Sequence, residues 1–108
     1  MPIFIKTEKF KNNTLKLSEK DKRKFLLMHK EWVRNISQSG QCIYSGYLIN
    51  EKKIPGGGGL LMIEANDYLT AKKIIENDPM IKNELVVWEL QEWIPINVNQ
   101  PIFFNHLG

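Results

Sequence analysis

The sequence predicts a single α+β domain with an antiparallel four-stranded sheet and both helices on one face. Three observations carry this. Four short segments rich in β-branched and aromatic residues alternate with two helically periodic stretches, in the order β-α-β-β-α-β. The chain has 108 residues, enough for one core and too few for two. It is 43% hydrophobic and 25% charged, the balance of a folded globular chain and not of a disordered one.

Residues 3–7 (IFIKT) alternate weakly and read as the first strand. Residues 9–17 are polar, with Asn12 and Asn13, and read as a loop. Ser18 caps the first helix, with Asp21 three residues on in a variant of the capping box. Phe25, Met28, His29, Trp32 and Ile36 then recur at helical spacing, with Leu26 and Val33 at the edge of the stripe. Gly40 suits the residue just past the helix end. Residues 42–49 (CIYSGYLI) form the second strand, interrupted in texture by Ser45 and Gly46. EKKIPGGGG follows as a mobile hairpin connection that could close over a site. Residues 60–65 (LLMIEA) form the third strand, and Asn66 caps a second helix with Tyr68, Ala71, Ile74 and Ile75 on one side. Asn77-Asp78-Pro79 ends that helix, and residues 85–93 (LVVWELQEW) form the fourth strand. Residues 94–108 contain Phe103 and Phe104 and are too apolar for a free coil, so this C-terminal extension of the 1–108 domain is expected to pack on the domain or on a partner subunit. The order is the split βαβ, or ferredoxin-like, arrangement.

Strand side chains alternate between faces. Val86, Trp88 and Leu90, Leu61, Ile63 and Ala65, and Ile3 and Ile5 form uninterrupted apolar sets and should face the helices. The opposite sets hold Phe4, Leu60, Met62, Leu85, Val87 and Trp93, too much apolar area to leave in water. A second copy is expected to cover them, stacking two sheets into a dimeric α/β barrel. Lys6, Glu64 and Glu89 then fall either in the interior of that barrel, where burial requires charge partners, or on its rim if the strand register differs.

Several function classes are disfavoured. The lone cysteine, Cys42, excludes an internal disulfide and a Cys-rich zinc site. The N-terminal MPIFIKTEKF does not resemble a signal peptide, and no apolar run approaches membrane-spanning length, so the expectation is a cytoplasmic protein without a membrane partner. Residues 1–40 carry ten Lys/Arg against four Asp/Glu, and residues 41–108 carry five against eight. Lys20, Lys22, Arg23 and Lys24 sit among Glu19 and Asp21, a solvated helix face and not a nucleic-acid stripe.

His29 is the first candidate for chemistry, because imidazole suits proton transfer near neutral pH. It lies among apolar neighbours, so the competing reading is a core or interface histidine with satisfied nitrogens. Asp78 is the second. It could orient His29 and stabilise imidazolium, and Asp-Pro is also a good helix start. One residue can do both. Gly56–Gly59 lacks the Lys-Ser/Thr of a phosphate loop, Ser45 lacks a nucleophile elbow, and Cys42 reads as a small strand residue. His29 and His106 have no metal-ligand spacing, so no metal is expected. Trp32, Trp88 and Trp93 read as packing, with one of them lining a pocket.

Phe25-x3-His29-x2-Trp32, then Ser39-Gly40, Ser45-Gly46-Tyr47-Leu48, the strand Gly59–Ala65, Ala71 and Asp78-Pro79 together resemble the YCII-related (YciI-like) proteins over roughly residues 22–93. The segment at residues 9–18 and the tail from Ile94 depart from that pattern. The resemblance implies a ferredoxin-like protomer, a dimeric α/β barrel and a His–Asp dyad, which falls here on His29 and Asp78. Some members of that family are dehydrochlorinases of chlorinated hydroxyquinols, and muconolactone isomerases have a similar barrel. The expected function is a cofactor-free acid/base lyase or isomerase on a small cyclic or aromatic hydroxy or carbonyl compound. Trp32, Ser45 and Gly46 are the substrate-contacting candidates. The alternatives are a homodimeric domain that binds a small ligand without turnover, and an assembly protein built through its tail.

Overall fold

A computed structural model describes residues 1–96 of the chain. The elements are β1 (Ile3–Phe10), α1 (Asn12–Leu15), α2 (Glu19–Gln38), β2 (Ile43–Ile49), β3 (Pro55–Glu64), α3 (Tyr68–Ile75), α4 (Pro79–Lys82) and β4 (Val86–Trp93). The strands form one sheet in the order β2-β3-β1-β4, with every neighbouring pair antiparallel. This is the ferredoxin-like arrangement expected from the pattern. The tail beyond Ile96, with its expected packing role and His106, lies outside the described residues.

The segment expected as a loop at 9–17 is more ordered than its polarity suggests. β1 continues to Phe10, and one helical turn follows. The Leu85 carbonyl accepts from Thr14 Oγ1 at 2.7 Å and from the Lys11 N–H at 3.1 Å, which ties this turn to the start of β4. Ser18 caps α2 as expected, its hydroxyl accepting from the Asp21 N–H at 3.1 Å. Gly40 sits past the other end at φ 93°, a left-handed conformation that glycine adopts without a Cβ clash.

The glycine run is not the hairpin connection. The turn is made by Asn50–Ile54, where Asn50 Oδ1 accepts from the N–H groups of Lys52 and Ile54. The glycines belong to β3 instead. Two of them are there because the strands crowd: a Cβ on Gly58 would lie 2.4 Å from the Glu8 carbonyl oxygen, and one on Gly59 2.7 Å from that of Gly46. The cap of α3 is likewise one residue later than expected. Asp67, not Asn66, accepts from the Thr70 N–H at 2.7 Å, because a capping side chain must reach the amide three residues on. That backbone N–H holds the Asp67 carboxyl below its ordinary range.

Helices α2, α3 and α4 pack on one side of the sheet. Phe4, Leu61, Ile63, Ala65, Ala71, Ile75 and Leu90 form the main core there. Met80, Leu85 and Val86 form a second cluster with Phe10, Leu17 and Phe25 around it. The first strand corrects the expected alternation. Phe4 and Lys6 face the helices, and Ile3 and Ile5 face the open side. Register decides this: Phe4 lies opposite Ile63, and Lys6 opposite Leu61 and Leu90, and directly opposed residues share a face. Lys6 is therefore neither on a rim nor in a barrel interior, but buried beneath the helices. Glu64 and Glu89 do lie on the open face, in register with Ile3 and Thr7.

Helix α2 is only partly seated. None of its residues is fully buried, and Met28, expected in the buried stripe, is exposed with Leu26 and Leu27. Its inward side chains Phe25, His29, Trp32, Val33 and Ile36 are half-buried. A hollow is left between α2 and the strands beside it.

Candidate active site

Asp78 is the anchor of the site. Its backbone position follows from sequence: α3 ends, and Asp-Pro starts the single turn of α4 with proline at the first helical position. The carboxyl group is fully buried. Oδ1 accepts from the Met80 N–H at 2.9 Å, which is the capping bond, and lies 2.9 Å from His29 Nδ1. Oδ2 accepts from Lys6 Nζ at 2.9 Å. Burial pushes this carboxyl up, but the hydrogen bond from His29 and the Lys6 charge outweigh it, so the net shift is below the ordinary range. Asp78 is thus a carboxylate that can only accept.

That fixes the imidazole. Nδ1 must carry the proton donated to Asp78, so in the neutral ring Nε2 is an acceptor. Ser45 Oγ lies 2.8 Å from Nε2, placed to donate its hydroxyl proton there. Ser45 reaches this point because β2 sets it opposite Leu61 on the helix side of the sheet. The His29 side chain retains 15% exposure, enough to present the Nε2 edge to the hollow.

The hollow is a cavity of about 470 Å³. His29, Ser45 and Gly46 line it together with Glu8, Gly58, Gly59 and the apolar Phe10, Leu26, Val33, Leu61 and Met80. Of the candidates, His29, Ser45 and Gly46 meet at this cavity, and Asp78 lies behind His29. Trp32 does not line it. Its ring packs against the imidazole at 5.8 Å between centroids and faces a second, shallow groove with Leu27, Met28 and Pro79.

The chain shares its α+β fold with a solved enzyme structure. Comparison with solved structures gives a 5-chloro-2-hydroxyhydroquinone dehydrochlorinase from Burkholderia phenoliruptrix AC1100, determined in complex with 2,5-dihydroxybenzoquinone. The TM-score is 0.64 at 18% identity, covering 85% of this chain and 93% of that one. No protein-family model matches the sequence, and no curated protein matches it by sequence. A likeness at this identity carries the fold and leaves the chemistry to the site itself.

Two members of the cluster, Lys6 and Glu8, are not among the candidate site residues of the sequence, although Lys6 is expected to need a charge partner if buried. Lys6 bridges Asp78 and Glu8, whose Oε1 lies 2.6 Å from Nζ. Its signal was a lysine directly after Ile3-Phe4-Ile5 in a strand, legible as a site residue only once the register is known. Glu8 is two residues on, the same face of the same strand. With a neutral imidazole, Lys6, Asp78 and Glu8 leave one net negative charge, which an imidazolium would cancel. Cys42 is half-buried, and burial and then Glu64 push its thiol up, away from the reactive thiolate. Among the described residues, no group of His, Cys, Asp and Glu could hold a metal, and no helix is long and apolar enough to cross a membrane.

Proposed function

We propose that this protein is an acid/base enzyme of the lyase or isomerase type, acting on a small cyclic or aromatic hydroxy or carbonyl compound. The observation that carries the reading is the line from Ser45 Oγ through His29 to Asp78, with steps of 2.8 Å and 2.9 Å, opening on a cavity of about 470 Å³. A histidine kept only for packing needs neither a buried carboxylate behind it nor an open cavity before it. The solved dehydrochlorinase of like fold, bound to a dihydroxyquinone, supports the substrate class. The same His29–Asp78 pair with Ser45-Gly46 supports placing the chain near the YCII-related proteins.

In this mechanism Nε2 of His29 takes a proton from a C–H or O–H of the substrate, directly or through the Ser45 hydroxyl. The imidazolium that forms is held by Asp78, whose charge is fixed in place by Lys6 and the Met80 N–H. Returning the proton to another carbon completes an isomerisation, and loss of a leaving group such as chloride from the adjacent carbon completes an elimination. The chain's own groups supply the acid and the base, so the reaction as drawn uses no cofactor.

The open sheet face carries Ile3, Ile5, Leu60, Met62, Val87 and Trp93, and a second copy of the chain is the occupant that the barrel architecture supports. The test of the enzymatic reading is turnover of hydroxyquinols and lactones by the wild type and by His29→Ala and Asp78→Asn, with product analysis. Product formation lost in both folded variants supports it. Tight ligand binding with no product from any of these compounds favours the non-catalytic binding domain.

A further inference from the structure

The cavity beside His29 is not electrically neutral on all sides. Three charged side chains line it: Glu8, Lys30 and Arg34. Glu8 is within 2.6 Å of the buried Lys6 ammonium, which it shares with Asp78, so this carboxylate is engaged inside the fold and stands apart from the α2 wall. Lys30 and Arg34 are one helical turn apart on α2 and share one wall. Arg34 pairs with Glu31, but both side chains are more than half exposed, and Glu31 belongs to the other groove. An exposed pair of this kind is weak, so the guanidinium can be recruited by a ligand.

We infer that the cavity takes a ring compound bearing a carboxylate, with the ring on the apolar wall beside His29 and the carboxylate on Lys30 and Arg34. Leu26, Val33 and Leu61 supply flat apolar surface for the ring. Arg34 stands five residues beyond His29, about 7.5 Å along the helix, roughly the span of a six-membered ring with a carboxyl substituent. A guanidinium matches a carboxylate in bidentate geometry, and a lysine one turn away adds a second cation. The placement of the reacting end at His29 rests on the acid/base reading above; the charge subsite itself does not.

The test uses the full chain and two probes of equal shape, 2-hydroxybenzoate and the neutral 2-hydroxybenzamide, followed by NMR titration. The expected result is that the acid binds at least about tenfold tighter than the amide, shifting the signals of Lys30, Arg34 and the His29 ring together. Affinity for the acid falls as salt is raised, and affinity for the amide does not. The double variant Lys30→Gln/Arg34→Gln loses the preference for the acid and keeps its affinity for the amide. Equal affinity for both probes in the wild type, undetectable binding of both at millimolar concentration, or an unchanged preference in the double variant overturns the inference. An acid preference abolished by the double variant upholds the subsite even where His29→Ala leaves turnover intact, so the two readings fail separately.

Discussion

Lys6 and Asp78 form an ion pair of 2.9 Å in which neither side chain is reached by solvent, although they are 72 residues apart in the chain. The pair joins the central strand to the start of α4 and holds the carboxylate that holds His29. Removing one partner of a buried pair leaves the other charge uncompensated. Lys6→Met is therefore expected to lose about 3–5 kcal/mol in urea unfolding. Adding Asp78→Asn should cost less than the separate effects summed, because the two groups share one interaction. A loss from Lys6→Met below about 1 kcal/mol would show that the ammonium is not confined as described.

Acid should act on the same group. Asp78 has a folded-state pKa below its unfolded value of about 3.9. Its contribution to stability is then complete above that value and is lost as pH falls through the lower, folded one. The urea midpoint of the wild type is expected to drop more steeply below about pH 4 than that of Asp78→Asn. Parallel acid limbs for the two proteins would contradict the assignment.

For activity, His29→Ala and Asp78→Asn should each reduce turnover by about 10²–10⁴-fold with the fold retained by circular dichroism. Asp78→Asn keeps the shape but can offer its amide N–H toward Nδ1, which favours the wrong tautomer. The decisive comparison is kcat against KM, since loss of the base acts on the chemical step.

The crowding at β3 gives a paired test. Gly58→Ala brings a Cβ to within 2.4 Å of the Glu8 carbonyl oxygen, which is rigid strand backbone. It should destabilise by about 1–3 kcal/mol. Gly56→Ala, whose nearest contact is the Leu48 carbonyl oxygen at 4.0 Å, should change stability by less than about 0.5 kcal/mol. Thermal melts of both variants settle the ordering.

A second copy on the open sheet face predicts a mass effect. Ile5 and Met62 are directly opposed at the middle of that face. Ile5→Glu is expected to turn a sedimenting dimer into a monomer without unfolding it, because a glutamate there would be desolvated in the interface. A wild type that sediments as a monomer at working concentration removes the dimer proposal.

Much of the fold was legible because its signals are local. Ser18 with Asp21, Gly40, and Asp78-Pro79 mark helix ends through single side chains and single dihedrals. The stripe of α2 and the runs in β3 and β4 carry enough apolar residues to show their period. Where local signals compete, the reading slipped. A glycine run looks like a loop, yet β3 needs Gly58 and Gly59 because the backbones of Glu8 and Gly46 leave no space for a Cβ. A strand that alternates Ile, Phe, Ile and Lys has two plausible faces, and apolar character alone favours burying the isoleucines.

What the sequence by itself determined is the order of the four strands and the two longer helices, the helix ends at Ser18, Gly40 and Asp78-Pro79, and the candidacy of His29 and Asp78. These depend on interactions spanning a few residues, or on side-chain chemistry. Only the tertiary structure decided which face of β1 is inside, that Lys6 and Glu8 stand behind Asp78, and that Ser45 meets Nε2 at a cavity Trp32 does not line. The physical reason is register. A slip of one residue turns every side chain of a strand to the opposite face, and register is set by pairing between residues 49 to 90 positions apart.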